Sequence, residues 1–114
     1  MSESVIAVGE VYAAVAKLDE VRDLLREHQE RISTLPGQRG CQVGVALDAP
    51  EHFLVTQEWE DVDALRAYAR SDALHDFQRR LFGLTTKPWK LDLHLVRESL
   101  ALDEFAPTDP RRAD

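Results

Sequence analysis

The stretch HFLVTQEWEDVDALRAYARSDALHDF, residues 52–77, decides the fold because a strand pattern gives way to a helical pattern inside it. Its first eight residues alternate between two faces, as they do in a β-strand. Asp61 is a typical N-cap, and it predicts a short helix that continues through Arg70. Ser71 is a second N-cap, after which a new helix begins. The apolar stripe of this new helix is Leu74, Phe77, Leu81 and Leu84.

The residues before this stretch predict a strand, a long helix and a second strand. Val5 to Tyr12 is mostly apolar and rich in β-branched residues, which is typical of a strand with both faces mostly covered. Pro36–Gly37 ends the helix that follows. Residues 40–47 then form a hairpin with residues 52–59, through a turn at 48–51. The amphipathic stripe of the long helix is Leu18, Val21, Leu25, His28, Ile32 and Leu35.

The last strand is predicted at residues 89–98, after Pro88 ends the helical region. The element order is therefore β-α-β-β-α-β, the split βαβ arrangement of a ferredoxin-like α+β fold. Such a fold is a four-stranded antiparallel sheet with its helices on one face. We expect residues 1–98 to form this single domain and residues 99–114 to be a loose C-terminal tail.

The second face of the predicted sheet has no helix to cover it. A bare and partly apolar face of this kind is usually covered by a partner. The sequence therefore predicts a homodimer formed through the sheet face. The apolar residues expected on that face are Val8, Ala46, Leu54 and Val96.

The composition is that of a globular domain, with 44% hydrophobic and 31% charged residues in a chain of 114. The formal net charge of −7 repels phosphate backbones and anionic lipid surfaces, so neither nucleic acid nor membrane is an expected partner. A single cysteine, Cys41, excludes an internal disulfide. The N-terminus has no basic segment, and no apolar run approaches about 20 residues. These features favour a cytoplasmic location.

Three stretches resemble the antibiotic biosynthesis monooxygenase (ABM) domain of the dimeric α/β barrel superfamily, and the resemblance runs from Val5 to Arg97. The stretches are Gly40-Cys41, similar to a Pro-Gly-Cys signature; Phe53 to Trp59 with Glu60-Asp61 and Ala64-Leu65; and Ser71-Asp72-Ala73-Leu74 with Phe77, similar to a Ser-Pro-His-Phe helix restart. The resemblance implies a dimeric α/β barrel. It also implies an oxygenase that acts on an electron-rich aromatic, such as a quinol or polyketide, without metal or haem.

Several family positions carry other residues in this chain. Members commonly have histidines at the positions of Tyr68 and Ala73 and an acid at that of Gln57. Oxygenating members are thought to use an asparagine, and this sequence contains none. Haem-degrading members want an iron-binding histidine at the position of Gln78. The resemblance therefore implies no haem cofactor for this chain.

Two residues are candidates for catalysis. Tyr68 lies on the inward face of the second helix region, where its phenol could orient a substrate hydroxyl or stabilise a phenolate. The alternative is a core aromatic with its hydroxyl at the rim. His75 is one turn into the restarted helix and could act as a base near neutral pH. The alternative for His75 is a solvated helix residue.

We expect a substrate cavity between the sheet and the second helix region, lined by aromatic side chains. His28 occupies the apolar stripe of the first helix, where a hydrogen-bonded core histidine is the alternative interpretation. None of the four histidines pairs with another histidine or Cys41 at a metal-ligand spacing, so no metal site is predicted. The expected substrate-binding residues are Trp59, Phe77, Trp89 and His28.

Two function classes remain open, together with a less favoured third. The first is a cofactor-independent monooxygenase, which Tyr68, Trp59 and the retained fold signature favour. The second is a non-catalytic dimeric barrel that binds a hydrophobic small molecule as a carrier or sensor, which the altered histidines and the missing asparagine favour. Isomerisation or cyclisation of a similar ligand is the third.

Overall fold

A computed structural model gives the fold and describes residues 3–101. Three α-helices, one short 3₁₀-helix (Val15–Lys17) and four strands are present in this range, and the second predicted helix region is divided in two. This arrangement confirms the ferredoxin-like α+β prediction. Most of the tail predicted at 99–114 lies outside the described residues. The elements are β1 (Ser4–Tyr12), α1 (Leu18–Ile32), β2 (Gln38–Ala46), β3 (Ala49–Trp59), α2 (Val62–Ala69), α3 (Asp72–Leu81) and β4 (Lys90–Val96).

The four strands form one antiparallel sheet in the order β2-β3-β1-β4. β1 lies between β3 and β4, with Val5 opposite Trp59 on one side and Gly9 opposite Leu91 on the other. The helices cover one face of the sheet, and their apolar stripes meet the inward residues of β1 and β3. The buried core comprises Val5, Ala7, Val11, Val21, Leu24, Leu25, Ile32, Phe53, Val55, Trp59, Leu65, Tyr68, Leu74, Phe77 and Leu81, with small alanines between them.

Both predicted N-caps divide the second helix region as expected. The Asp61 carboxylate accepts a hydrogen bond from the backbone N–H of Ala64 at 2.8 Å. The Ser71 hydroxyl oxygen accepts one from the N–H of Leu74 at 3.2 Å and donates to the carbonyl of Tyr68 at 2.6 Å. Because α2 ends at this second cap, Tyr68 lies in its last turn and faces the sheet.

The hairpin between β2 and β3 is tighter than predicted. Ala46 pairs with Ala49, so the turn contains only Leu47 and Asp48 instead of residues 48–51. Leu47 was predicted to be the last residue of the second strand, but it lies in this turn and is fully exposed. The pairing register shifts between Val45 and Ala46, so Leu47 no longer follows the alternation of side chains between the two strand faces.

Both faces of β1 were predicted to be mostly covered, but in the single chain only one face is buried. Its residues alternate between buried and accessible, and Val8 is 40% exposed. The physical reason is that every helix in residues 3–101 packs on the same side of the sheet. We call the other side the open face; its residues include Ile6, Val8, Glu10, Tyr12, His52, Leu54, Thr56, Glu58, Asp92 and His94. No helix within the described range is long and apolar enough to cross a membrane.

Candidate functional site

A chain of buried hydrogen bonds connects β3, α2 and α1 beneath the helices. The Trp59 indole N–H donates to the side-chain oxygen Oε1 of Gln57 at 3.1 Å. The side-chain nitrogen Nε2 of Gln57 donates to the Tyr68 hydroxyl at 3.2 Å. The Tyr68 oxygen lies 2.8 Å from Nε2 of His28. All four side chains are buried. We call His28, Gln57, Trp59 and Tyr68 the buried polar network.

Burial decides the protonation states in this network. It lowers the pKa of His28 to about 4, and the positive charge of Arg31 acts in the same direction. Burial also raises the pKa of Tyr68 to about 12, although the hydrogen bond from Gln57 opposes that shift. Both groups are therefore neutral at pH 7. The Tyr68 hydroxyl then donates a hydrogen bond to Nε2 of His28, and every bond in the network has one donor and one acceptor.

Aromatic contacts extend the network toward the surface. The His28 ring stacks on Phe77 with 4.1 Å between centroids, and Tyr68 stacks on Trp59 at 4.8 Å. Phe77 in turn meets the indole of Trp89 edge-on at 5.4 Å. The fold thus brings together five of the six residues predicted for the site. The sixth, His75, lies on the exposed side of α3.

The Tyr68 hydroxyl is enclosed by protein in this conformation. The exposed fraction of Tyr68 is 1%, and the crevice beside His28 measures about 10 Å³, which is space for about one water molecule. Arg80 covers that crevice from α3 with a two-pronged ion pair to Glu27 at 2.7 and 2.9 Å. Phe77 separates His28 from Trp89 and from the open cleft beyond it.

That cleft lies between the C-terminal end of α3 and the segment that leads to β4. Its volume of about 520 Å³ falls in the range of small-molecule sites, roughly 300–1,000 Å³. Trp89 forms one aromatic wall and also contacts Phe77, so the cleft adjoins the buried cluster. We call it the α3–β4 cleft, and its lining is Gln78, Leu81, Phe82, Gly83, Thr85, Thr86, Lys87, Pro88 and Trp89.

Backbone hydrogen bonds hold the outer wall of the cleft against the end of β1. The N–H of Ala14 donates to the carbonyl of Leu84 at 2.8 Å, and the N–H of Thr86 donates to the carbonyl of Tyr12 at 2.9 Å. Gly83 allows the turn that begins this wall, because its φ of +86° is one that residues with a side chain rarely adopt. The cleft therefore has an anchored wall.

Gly9 sets the floor beneath Trp89. A Cβ atom at Gly9 would lie 2.9 Å from the carbonyl oxygen of Lys90, 2.8 Å from Leu91 and 3.4 Å from the Trp89 ring. The first two distances are too short for a real Cβ, so β4 and Trp89 can approach β1 this closely only because residue 9 is a glycine.

Sequence reasoning missed several residues of this region. Gln57 links Trp59 to Tyr68, and its signal was a polar residue on the otherwise apolar face of β3. Gln78 and Lys87 line the cleft, but nothing in their local pattern separates them from ordinary surface residues. Among residues 3–101, no group of three or more His, Cys, Asp or Glu is arranged to hold a metal ion.

Known structures share this fold at low sequence identity. A candidate antibiotic biosynthesis monooxygenase from Deinococcus radiodurans is 22% identical, with a TM-score of 0.81 over 85% of this chain and 96% of that one. A mutant of SnoaB, a cofactor-independent oxygenase from Streptomyces nogalater, is 18% identical, with a TM-score of 0.75 over 87% of this chain and 98% of that one. No curated protein matches the chain.

The sequence also matches a family model directly. The model of the antibiotic biosynthesis monooxygenases covers residues 4–80, which include β1 to β3 and nearly all of α3. The match includes five of the six predicted site residues and ends before the segment that carries Lys87 and Trp89. The chain therefore belongs to the antibiotic biosynthesis monooxygenase family.

Proposed function

We propose that this protein is a cofactor-independent monooxygenase that binds an electron-rich aromatic, such as a quinol or a polyketide-like phenol, in the α3–β4 cleft. The observation that carries the proposal is the 520 Å³ cleft with Trp89 in its wall, in a chain of the ABM family. SnoaB, a neighbour in fold, is described as a cofactor-independent oxygenase, which supports the same reaction class.

The reaction needs no electron donor other than the substrate. A deprotonated quinol passes electrons to O₂, and one oxygen atom is added to the ring carbon. The two hydroxyl hydrogens of the quinol leave with the second oxygen atom as water, so the product is a hydroxyquinone. The protein has to supply a site with little water and a group that favours the substrate anion.

In this proposal Trp89 and Phe77 form the aromatic surface on which the substrate rests. Tyr68 stays the candidate catalytic hydroxyl, and His28 accepts its hydrogen bond. Phe77 has to turn aside before a ligand in the cleft can reach Tyr68, because its ring lies between Trp89 and His28. His75 stays a candidate base on the exposed side of α3.

The enclosure of Tyr68 favours the second candidate function, a non-catalytic carrier or sensor. Tyr68 is 1% exposed and has a pKa raised by burial to about 12, as expected for a structural core group. In that case the cleft binds an aromatic ligand and the buried polar network only supports its wall.

Oxygen consumption separates the two candidates. We expect the parent protein to consume O₂ with a quinol or hydroxylated polycyclic aromatic in the absence of flavin and metal, at a rate that rises with pH through the ionisation of the substrate. Tyr68→Phe should lower turnover on the order of 100-fold if the hydroxyl acts on the substrate. Unchanged turnover in Tyr68→Phe makes Tyr68 a core residue. Tight binding of an aromatic without oxidation supports the carrier.

Haem is not the substrate in this proposal. Gln78 lines the cleft at the position where a haem-degrading relative has its iron ligand, and a glutamine amide is a poor ligand for iron. We therefore expect no ring-opened pigment from haem with reductant supplied. Steady formation of such a pigment, followed by absorbance, would contradict this assignment.

We also propose that the protein is a homodimer through the open face and works in the cytoplasm. Val8 and Leu54 are 40% and 41% exposed on neighbouring strands of that face, which supports a covered surface. An obligate interface of this kind often buries more than about 2,000 Å² in total. The single cysteine fits a reducing compartment.

A further inference from the structure

We propose that the α3–β4 cleft is specific for an aromatic anion, and that Lys87 binds the charged group of that ligand. This inference rests on the proposed function, since it names the substrate class of the same cleft. It adds a binding residue outside the part of the chain that the family model matches.

The charge of the cleft lining is opposite to that of the chain. The protein has a formal net charge of −7, yet no carboxylate is among the residues of 3–101 that line the cleft. Lys87 is the one charged residue among those described lining residues. Lys87 is therefore the described lining residue whose positive charge can pair with a phenolate, carboxylate or sulfonate, once its ammonium leaves the Tyr12 ring on the open face.

Lys87 also differs from the other two lysines in the sequence. Lys17 forms an ion pair with Glu20 at 3.5 Å, and Lys90 forms one with Asp92 at 3.9 Å. Lys87 has no carboxylate partner within residues 3–101. Its charge is thus not neutralised by a described residue.

The structure holds the ammonium of Lys87 by an aromatic contact instead. Its Nζ lies 4.3 Å from the centroid of the Tyr12 ring. Tyr12 is itself fixed, because its ring stacks on His52 at 4.2 Å and its hydroxyl donates to Glu10 at 3.3 Å. A cation–π contact at an exposed site is weak, so an anion in the cleft can recruit the ammonium at small cost.

This placement has a consequence for the proposed reaction. A positive charge near a bound phenol favours the phenolate, which is the species that O₂ oxidises. The flexible four-carbon stem lets Lys87 follow the anionic oxygen, whereas Pro88 restricts the backbone next to it.

A matched pair of fluorescent probes tests the inference without turnover. The compounds 8-anilino-1-naphthalenesulfonate and N-phenyl-1-naphthylamine share one ring system and differ by the sulfonate. We expect the parent to bind the sulfonate more tightly. Lys87→Met should weaken binding of the sulfonate probe about fivefold, which is the effect expected from losing one exposed charge contact. Its affinity for the neutral probe should be unchanged. Lys87→Arg should retain the preference.

Lys90→Met is the control, because it removes a lysine three residues away that does not line the cleft. Trp89→Ala should weaken the binding of both probes, which would show that both bind in the cleft. Equal effects of Lys87→Met and Lys90→Met, or no effect of either, overturn the role of Lys87. The aromatic cleft of the proposed function still stands in that case if the neutral probe depends on Trp89. Failure of both probes to bind overturns both proposals.

Discussion

The Tyr68 hydroxyl shows how one residue can serve stability and still be a candidate for chemistry. It accepts a hydrogen bond from Gln57 and donates one to His28, and neither bond is exposed to solvent. A buried polar group that loses its partner costs more free energy than the bond itself contributes, because the remaining partner stays desolvated. Substitutions in this network therefore have to be judged by stability and by turnover separately.

The first prediction is that Tyr68→Phe destabilises the fold whether or not it changes activity. The phenyl ring keeps the stack on Trp59, but Nε2 of His28 and the amide of Gln57 each lose a partner. We expect the free energy of unfolding to fall by about 1–3 kcal/mol in urea titrations. Tyr12→Phe is the control, since among residues 3–101 its hydroxyl bonds only to the accessible Glu10. If both variants lost the same free energy of unfolding, the buried polar network would contribute no more to stability than the hydrogen bond of Tyr12.

The second prediction concerns acid stability. The pKa of His28 is lowered by burial from 6.5 to about 4 in the folded chain. The unfolded chain therefore takes up this proton at higher pH than the folded chain does. Stability is highest above about pH 6.5 and is lost as the pH falls toward 4, by roughly 3 kcal/mol from this group.

Urea titrations at several pH values between these limits check this prediction, with His28→Gln as the comparison. Glutamine can accept the hydrogen bond from Tyr68 but does not titrate. The variant should therefore lose less stability between pH 6.5 and 4 than the parent does. The same pH dependence in both proteins would rule out His28 as its source.

At the scale of elements, the seam between β1 and β4 determines the shape of the cleft. Trp89 precedes β4 directly, so any shift of this strand moves the aromatic wall. The seam is close because residue 9 has no side chain. The division of the second helix region also shapes the site, because α2 places Tyr68 against the sheet and α3 places Phe77 beside Trp89.

The third prediction is that Gly9→Ala moves Trp89 and weakens ligand binding in the cleft. The added methyl group meets the carbonyl of Lys90 at 2.9 Å, so β4 must shift at its first residues. We expect a change in tryptophan fluorescence and an affinity for N-phenyl-1-naphthylamine that is several-fold lower, with stability reduced by about 1–3 kcal/mol. Gly44→Ala is the matched control, because apart from its chain neighbours no atom of residues 3–101 lies within 4 Å of its Cβ position. Unchanged fluorescence and affinity in Gly9→Ala would contradict this account of the floor.

At the scale of the whole molecule, the open face exposes apolar side chains that no other part of residues 3–101 buries. The helices in residues 3–101 cover one side of the sheet, and apolar side chains remain on the other. Valine and leucine side chains exposed to water at the middle of a sheet are unfavourable in free energy. We therefore expect a second copy of the chain to bury them.

The fourth prediction is that Val8→Glu converts a dimer into a monomer. Val8 lies at the centre of the open face, opposite Thr56 and Asp92 on the neighbouring strands. A buried glutamate there would be unpaired in the interface and next to another carboxylate. Val15→Glu is the control, because Val15 is 77% exposed and lies in the turn before α1. Light scattering at micromolar concentration should show a dimer for the parent and the control. A monomeric parent would remove the dimer from the proposal.

Much of the fold could be predicted from local patterns. The stripe from Val21 to Ile32, the caps at Asp61 and Ser71 and the alternation in β3 depend on neighbours in the chain, and the structure confirms all of them. The prediction failed where pairing between strands decides the outcome, as at Leu47 in the hairpin. Strand ends depend on which hydrogen bonds the partner strand offers, and the sequence of one strand does not contain that information.

The sequence by itself thus determined the element order, the inward faces and the residue types available for the site. Only the tertiary structure decided how these residues combine. It closed the hydroxyl of Tyr68 into a network with His28, 40 positions away in the chain, and left Trp89 and Lys87 to line the cleft. The physical reason is that patterns report which side of an element is buried, whereas burial depth, hydrogen-bond partners and open volume arise only when separate elements pack together.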